Sequence, residues 1–149
     1  MSAHKIVEVA AAVLLRTTTG APFTATTPQV DTEFLLACRP DGKVYAGYWE
    51  FPGGKLEAGE SVVEALRREL QEELGISIAA AELWRNSLVD YPHALVRLHF
   101  CKVTDWTGDL EMREGQQAAW QQLPVTVSPV LAGTLPVLEW LAAERQQAL

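Results

Sequence analysis

The sequence predicts a single α/β domain, and three observations point to it. Short segments rich in Val, Leu, Ile and Phe suit strands, whereas one stretch, Val62 to Leu74, has helical periodicity and helical punctuation at both ends. A second helical pattern closes the chain. At 149 residues and 48% hydrophobic composition, the chain has enough apolar mass for one core and too little length for two ordinary ones.

In chain order, Lys5 to Arg16 reads as the first strand, because its apolar run is interrupted by Glu8 in the alternating manner of a half-buried strand. Thr17 to Val30, rich in Thr and Pro, reads as a long connection. Glu33 to Arg39 is the second strand, Pro40 to Gly47 turns back, and Tyr48 to Phe51 leads into a glycine-rich corner at Gly53 and Gly54. After the helix, Ala81 to Val89 and Ala94 to Val103 are strands around a Tyr91-Pro92 turn. Asp105 to Gly115 is an acidic loop, Ala118 to Leu123 a short strand carrying Trp120. Leu135 to Gln147 forms the last helix, with Leu138, Leu141 and Ala142 on one side.

The Val62–Leu74 helix carries the chemistry. Ser61 and Glu64 have capping-box spacing at its start, and Gly75 stands where a left-handed residue ends a helix. Val63, Leu66, Leu70 and Leu74 form an apolar stripe, with Glu69, Glu72 and Glu73 gathered in an arc of about 100° beside it. Arg67, Arg68, Gln71 and Glu64 take the solvated side. The acidic arc is unfavourable on its own. Glu72 and Glu73 lie in the last turn, where the helix dipole disfavours each anion by about 0.3–1 kcal/mol. Glu69 and Glu73 repel at i, i+4 by a few tenths of a kcal/mol, roughly. A divalent cation reverses the sign of this arrangement, since hard cations prefer carboxylate oxygens. A solvated acidic face is the alternative that the helix alone leaves open.

Composition removes several classes. A net charge of −7 argues against a duplex nucleic acid partner, which calls for a basic surface. No apolar run reaches the roughly 20 residues of a membrane span, and Glu8 breaks the signal-like N-terminal run, so a cytoplasmic protein is expected. Cys38 and Cys101 match no zinc or disulfide framework and read as buried free thiols. A monomer and a homodimer are both compatible with the sequence.

One run organises these readings: Gly54, five residues, Glu60, seven residues, then Arg68-Glu69-Leu70-Gln71-Glu72-Glu73-Leu74-Gly75-Ile76. This resembles the Nudix hydrolase signature at every specified position. The preceding Trp49-Glu50-Phe51-Pro52-Gly53-Gly54-Lys55 resembles the MutT-like branch. The resemblance implies an α/β/α sandwich with a mixed central sheet, where periodicity alone stops at one α/β domain. It implies hydrolysis of a free nucleoside triphosphate to the monophosphate and pyrophosphate with Mg²⁺, or Mn²⁺ in its place.

Carried over by position, Glu69, Glu72 and Glu73 become metal ligands, with a backbone carbonyl of Gly53 or Gly54 and the loop residue Glu114 as further ones, Glu111 competing with Glu114. One of the four glutamates Glu69, Glu72, Glu73 and Glu114 accepts the proton of the attacking water. Glu60 and Arg68 form a pinning ion pair. Arg39 and Lys55 contact phosphate, while Phe51, Tyr48, Phe23 and Thr134 are candidates near the base; Thr134 has helix capping as its other reading. His93 is a surface histidine or an accessory group. The MutT-like branch implies 8-oxo-dGTP or dGTP as substrate. The stretch Val130 to Pro136 has no asparagine where 8-oxo-dGTP-clearing members read the oxidised purine, so a pyrimidine triphosphate of the CTP type is the second reading, and a non-catalytic nucleotide sensor the third.

Overall fold

The computed structural model describes residues 5–147. The strands are β1 (Ile6–Thr17), β2 (Thr32–Cys38), β3 (Trp49–Glu50), β4 (Gly53–Lys55), β5 (Ser77–Ile78), β6 (Glu82–Tyr91), β7 (Ala94–Val103), β8 (Trp106–Thr107) and β9 (Gln117–Gln121). The helices are α1 (Val62–Leu74) and α2 (Leu135–Gln147), with single 3₁₀ turns at Gln29–Asp31 and Ala132–Thr134. Hydrogen bonds join strands in the order β3-β2-β1-β7-β6, with β4 also on β1 and β9 also on β2, while β5 and β8 form a separate pair. Contacts divide the chain into two compact units: residues through Val13 with Pro52–Arg113, and Leu14–Phe51 with the chain from Glu114 onward.

The first unit holds α1. Ser61 Oγ accepts the Glu64 amide at 3.1 Å, and the Glu64 carboxylate accepts the Ser61 amide at 3.0 Å. Gly75 ends the helix at φ 70°, and its amide donates to the Gln71 carbonyl at 3.1 Å. The buried face is Ala65, Leu66, Leu70 and Leu74. Its three leucines contribute roughly 5–9 kcal/mol of gross burial. Val63, expected on that stripe, lies in the first turn and stays half-buried, whereas Ala65 is fully enclosed. Arg68, expected on the solvated side, is instead drawn into an ion-pair network and is 23% exposed.

The glycine-rich corner is not a loop. Gly53, Gly54 and Lys55 pair antiparallel with Ala11, Ala10 and Val9 of β1. The glycine makes this possible: a Cβ on Gly53, at φ +155°, would strike the Ala10 carbonyl, so the two backbones approach more closely than a side chain there permits. On the neighbouring β7, His99 Nε2 lies 2.8 Å from the Glu8 carboxylate of β1, and Arg97 stands beside it at 3.3 Å. These partners hold the Glu8 carboxyl below its ordinary range, His99 contributing most. β6 and β7 form a hairpin from Tyr91↔Ala94 to Glu82↔Lys102, with a bulge between Leu83 and Arg85. Two further short strands carry no signal in the sequence: Ser77 and Ile78 pair with Thr107 and Trp106, the latter two inside the stretch expected to be irregular.

In the second unit the end of β1 pairs with β2, from Leu15↔Phe34 to Thr17↔Thr32, and β2 is flanked by β3 and β9. Its core includes Leu14, Leu15, Phe34, Leu35, Leu36, Leu131, Val137 and Leu141. In α2, Val137 and Leu141 are the buried pair, and Leu138 and Ala142 are half-buried beside them. Arg16 pairs with Glu33 at 3.0 Å and lies 3.9 Å from the Trp120 ring centroid. The ladders β1–β2, β1–β4, β2–β3, β2–β9 and β6–β7 are antiparallel, and Trp49 and Val130 form a parallel bridge. Cys101 is buried and Cys38 half-buried, both as free thiols.

Candidate active site

Arg68 organises the acidic face of α1. Its Nε and Nη2 grip both oxygens of Glu60 at 2.8 and 2.9 Å, a two-pronged arrangement that fixes the guanidinium plane. Nη2 also donates to the Lys55 carbonyl at 2.9 Å, tying β4 to the helix. Nη1 reaches Glu69 at 2.9 Å and Glu72 at 3.4 Å, with Glu57 at 3.6 Å. The pinning pair expected from the sequence is therefore present, and it extends to two of the proposed ligands. Glu60 itself is held by its own loop, since it accepts the Glu57 amide at 2.7 Å. Arg68 and that amide together bring the Glu60 carboxyl down to about 2. The carboxylates in turn hold the Arg68 guanidinium more firmly protonated.

One guanidinium here faces four carboxylates, Glu57, Glu60, Glu69 and Glu72, leaving an excess of negative charge on the ridge before Glu73 is counted. Glu69 is the most enclosed, at 16% exposure, and Glu72 is open at 57%. The Glu69 carboxylate lies flat against Gly54, filling the space a Cβ there would occupy. That is the fit a hard divalent cation requires: carboxylate oxygens with excess charge, beside backbone with no side chain in the way. Among the described residues, no group of three or more acidic, imidazole or thiol side chains is placed to hold a metal ion. The ridge presents donors along a helix face, as suits a metal shared with a substrate.

Other expected residues have different surroundings. Lys55 is exposed on β4. In the second unit, Arg39 donates to the Val44 carbonyl at 2.6 Å and to Glu50 at 2.8 Å, so it staples the Pro40–Gly47 turn. Burial pushes the Glu50 carboxyl up against the pull of Arg39. Phe51, a candidate for base stacking, is a core side chain, 4% exposed and 5.8 Å from Phe34 between ring centroids; it presents no open face. Thr134 is likewise buried, at 3%, at the end of the 3₁₀ turn before α2. Tyr48 is half-buried against Tyr45, Phe23 is half-buried, and His93 is exposed beside Tyr91. Glu114 is exposed, and its amide donates to the Gln116 side chain at 3.0 Å. The sequence reading assigned no role to Glu50 or Arg113; Glu50, within the Trp49–Lys55 run, is the partner of Arg39, and Arg113 donates to the Gln71 carbonyl.

The NUDIX domain pattern matches residues 14–141. The chain belongs to the Nudix family. Its fold is the α/β Nudix type, with a mixed sheet and two helices. A CTP pyrophosphohydrolase of Escherichia coli K12 is 34% identical over 142 residues, covering 95% of this chain and 95% of that protein. An 8-oxo-dGTP diphosphatase of Haemophilus influenzae is 41% identical over 88 residues, covering 59% of this chain and 65% of that protein. The solution structure of the E. coli ORF135 protein superposes with a TM-score of 0.74 at 34% identity, over 97% of this chain and 94% of that one. Among the described residues no helix is long and apolar enough to cross a membrane.

Proposed function

We propose that this Nudix hydrolase, an enzyme of phosphoric anhydride bonds, acts as one domain on free nucleoside triphosphates, converting NTP and water to NMP and pyrophosphate. The acidic ridge of α1, held by Arg68 and lying against Gly54, carries the reading. Glu69, Glu72 and Glu73 would hold Mg²⁺, with Glu114 and a Gly53 or Gly54 carbonyl as further ligands. The bound cation supplies charge neutralisation of the phosphates and a more acidic water. The chain's own residues orient and exchange protons: Glu60 and Arg68 fix the ridge, and one of Glu69, Glu72, Glu73 and Glu114 takes the proton of the attacking water. A nucleotide substrate makes the cytoplasm its working compartment.

The MutT-like flank Glu50-Phe51-Pro52-Gly53-Gly54-Lys55 supports 8-oxo-dGTP or dGTP as substrate, as do the 8-oxo-dGTP diphosphatases among its relatives. The similarity to a CTP pyrophosphohydrolase along nearly the whole of both chains favours a second reading, a pyrimidine triphosphate. A sensor role has no use for an intact ridge. Pyrophosphate release from 8-oxo-dGTP, dGTP, CTP and 5-methyl-CTP with Mg²⁺ separates them, with Glu73→Gln as control. Preference for 8-oxo-dGTP by orders of magnitude supports the first reading, and preference for CTP the second. Nucleotide binding without turnover under either Mg²⁺ or Mn²⁺ overturns both.

A further inference from the structure

Arg68 has one acceptor more than it has hydrogens. A guanidinium carries five N–H donors in a fixed plane. Three of them are committed: Nε and Nη2 hold both oxygens of Glu60, and Nη2 also holds the Lys55 carbonyl. That leaves Nη1, with two hydrogens and three carboxylates within reach. Glu69 accepts one hydrogen at 2.9 Å and Glu72 the other at 3.4 Å. Glu57 stands at 3.6 Å, an ion-pair distance without a hydrogen bond. The three are not equally placed. Glu69 is enclosed against Gly54, whereas Glu72 is open and makes the longer of the two bonds. The Glu57 side chain is open too, at 68% exposure, yet its backbone is anchored, since its amide donates to Glu60 at 2.7 Å. The loop thus carries a carboxylate to the edge of Arg68 and stops it just short of contact. All of these residues belong to the first compact unit.

We propose that Glu57 is a positioning residue for metal binding: it takes over the Nη1 hydrogen that Glu72 gives up when Glu72 turns to a divalent cation. The guanidinium cannot follow Glu72, because Glu60 and the Lys55 carbonyl hold its plane. With no acceptor waiting, the departure of Glu72 leaves a charged donor short of a partner at a group only 23% exposed, and that loss subtracts from metal affinity. Glu57 removes the loss. It touches neither cation nor substrate in this scheme, and acts only through Arg68. As a static ion pair at the surface it would contribute little. The proposal rests on the reading of Glu72 as a ligand.

The test is a double-mutant cycle read by Mn²⁺ binding, using the paramagnetic resonance of free Mn²⁺, with a thermal melt of each protein. Glu57→Ala is expected to weaken Mn²⁺ binding by roughly 10-fold, the low end of what orienting partners of a metal site are worth, with the melt nearly unchanged. Glu57→Gln keeps an acceptor oxygen at the same reach and should recover part of the loss. In a Glu72→Gln background no hydrogen is handed over, so Glu57→Ala should add nothing. An equal loss in both backgrounds, with Glu72→Gln itself weakening binding, makes Glu57 a source of negative field alone and overturns the proposal. Unaltered binding by Glu57→Ala overturns it as well. Glu72→Gln binding Mn²⁺ like the unaltered protein overturns the ligand reading of Glu72, and the proposal with it. Should Glu57→Ala melt below the assay temperature, Glu57→Asp, which keeps the charge and loses the reach, gives the same comparison in the two backgrounds.

Discussion

Gly54→Ala is the substitution that best separates a catalytic geometry from a structural one. A Cβ at position 54 would overlap the Glu69 carboxylate, so that carboxylate must move. The three atoms nearest that methyl all belong to the tip of a flexible side chain, and the backbone there lies outside the left-handed region. The cost to stability is correspondingly small. The Arg68–Glu69 contact at 2.9 Å is lost, but Arg68 keeps Glu60 and the Lys55 carbonyl. An ion pair with one partly exposed member is worth about 1 kcal/mol or less, and replacing glycine returns about 0.4–1 kcal/mol through the unfolded chain. The balance is near zero, or a few degrees at most in melting temperature, roughly. With Glu69 in its proposed ligand role, catalysis responds differently, since a ligand displaced by about 1 Å costs on the order of 100-fold, or about 2.7 kcal/mol of barrier. The assay is kcat for pyrophosphate release beside a thermal melt. A melt that drops by more than about 10 °C would refute the reasoning, as would an unchanged kcat. Gly53→Ala is the contrasting control, because its methyl would strike the Ala10 carbonyl at a positive φ. Strain and overpacking of roughly 2–5 kcal/mol should appear there as lost stability.

Three further outcomes are expected. The Glu60 carboxyl, brought from an ordinary 4.5 to about 2, binds its proton less readily folded than unfolded, so its contribution is complete above pH 4.5 and disappears as pH falls towards 2. Urea melts of the unaltered protein and Glu60→Gln should therefore converge across that window, and parallel curves would exclude the linkage. Glu73→Gln should lower kcat by roughly 10²–10³, the range for removing one preorganised electrostatic group, while leaving the melting temperature nearly in place; equal turnover would remove Glu73 from the site. Burial pushes the Cys101 thiol up to about 11, so at pH 8 a thiol-reactive disulfide should modify it only after denaturant is added. Rapid reaction of Cys38→Ser under native conditions would contradict that.

What is legible in the sequence is what is specified locally. The bounds of α1 follow from Ser61, Glu64 and Gly75, each within a few residues of the atoms it satisfies, and the helix keeps those bounds. The same locality places Glu69, Glu72 and Glu73 on one ridge and pairs Glu60 with Arg68, eight residues away. What escapes depends on partners distant in the chain. β4 is a strand only in the presence of β1, whose backbone Gly53 meets with no Cβ to strike the Ala10 carbonyl. The two-residue strands Ser77–Ile78 and Trp106–Thr107 exist only in each other's presence. Phe51 looks the same in sequence whether it faces a base or Phe34, since an aromatic ring serves either. The contacts of Arg39 with Val44 and Glu50 are likewise absent from the sequence, since these partners become neighbours only when the intervening turn closes.

The glycines show why motif and mechanism are different kinds of information. Gly53, Gly54 and Gly75 all belong to one recognisable run, and a pattern treats them alike. In the folded protein each excludes a side chain for a different reason. Gly53 keeps clear of the β1 backbone, so it belongs to the fold. Gly54 keeps clear of the Glu69 carboxylate, so it belongs to the ridge. Gly75 turns the chain in the left-handed region and keeps clear of the Arg113 guanidinium, so it belongs to the helix end. Alanine at these three positions should therefore give separate signatures: strain and overpacking in the sheet at 53, lost turnover with a near-native melt at 54, and a smaller loss of stability at the helix end at 75, where the methyl strains a left-handed residue. A Gly75→Ala protein that melts like the unaltered one would mean that the helix end tolerates a side chain in the left-handed region.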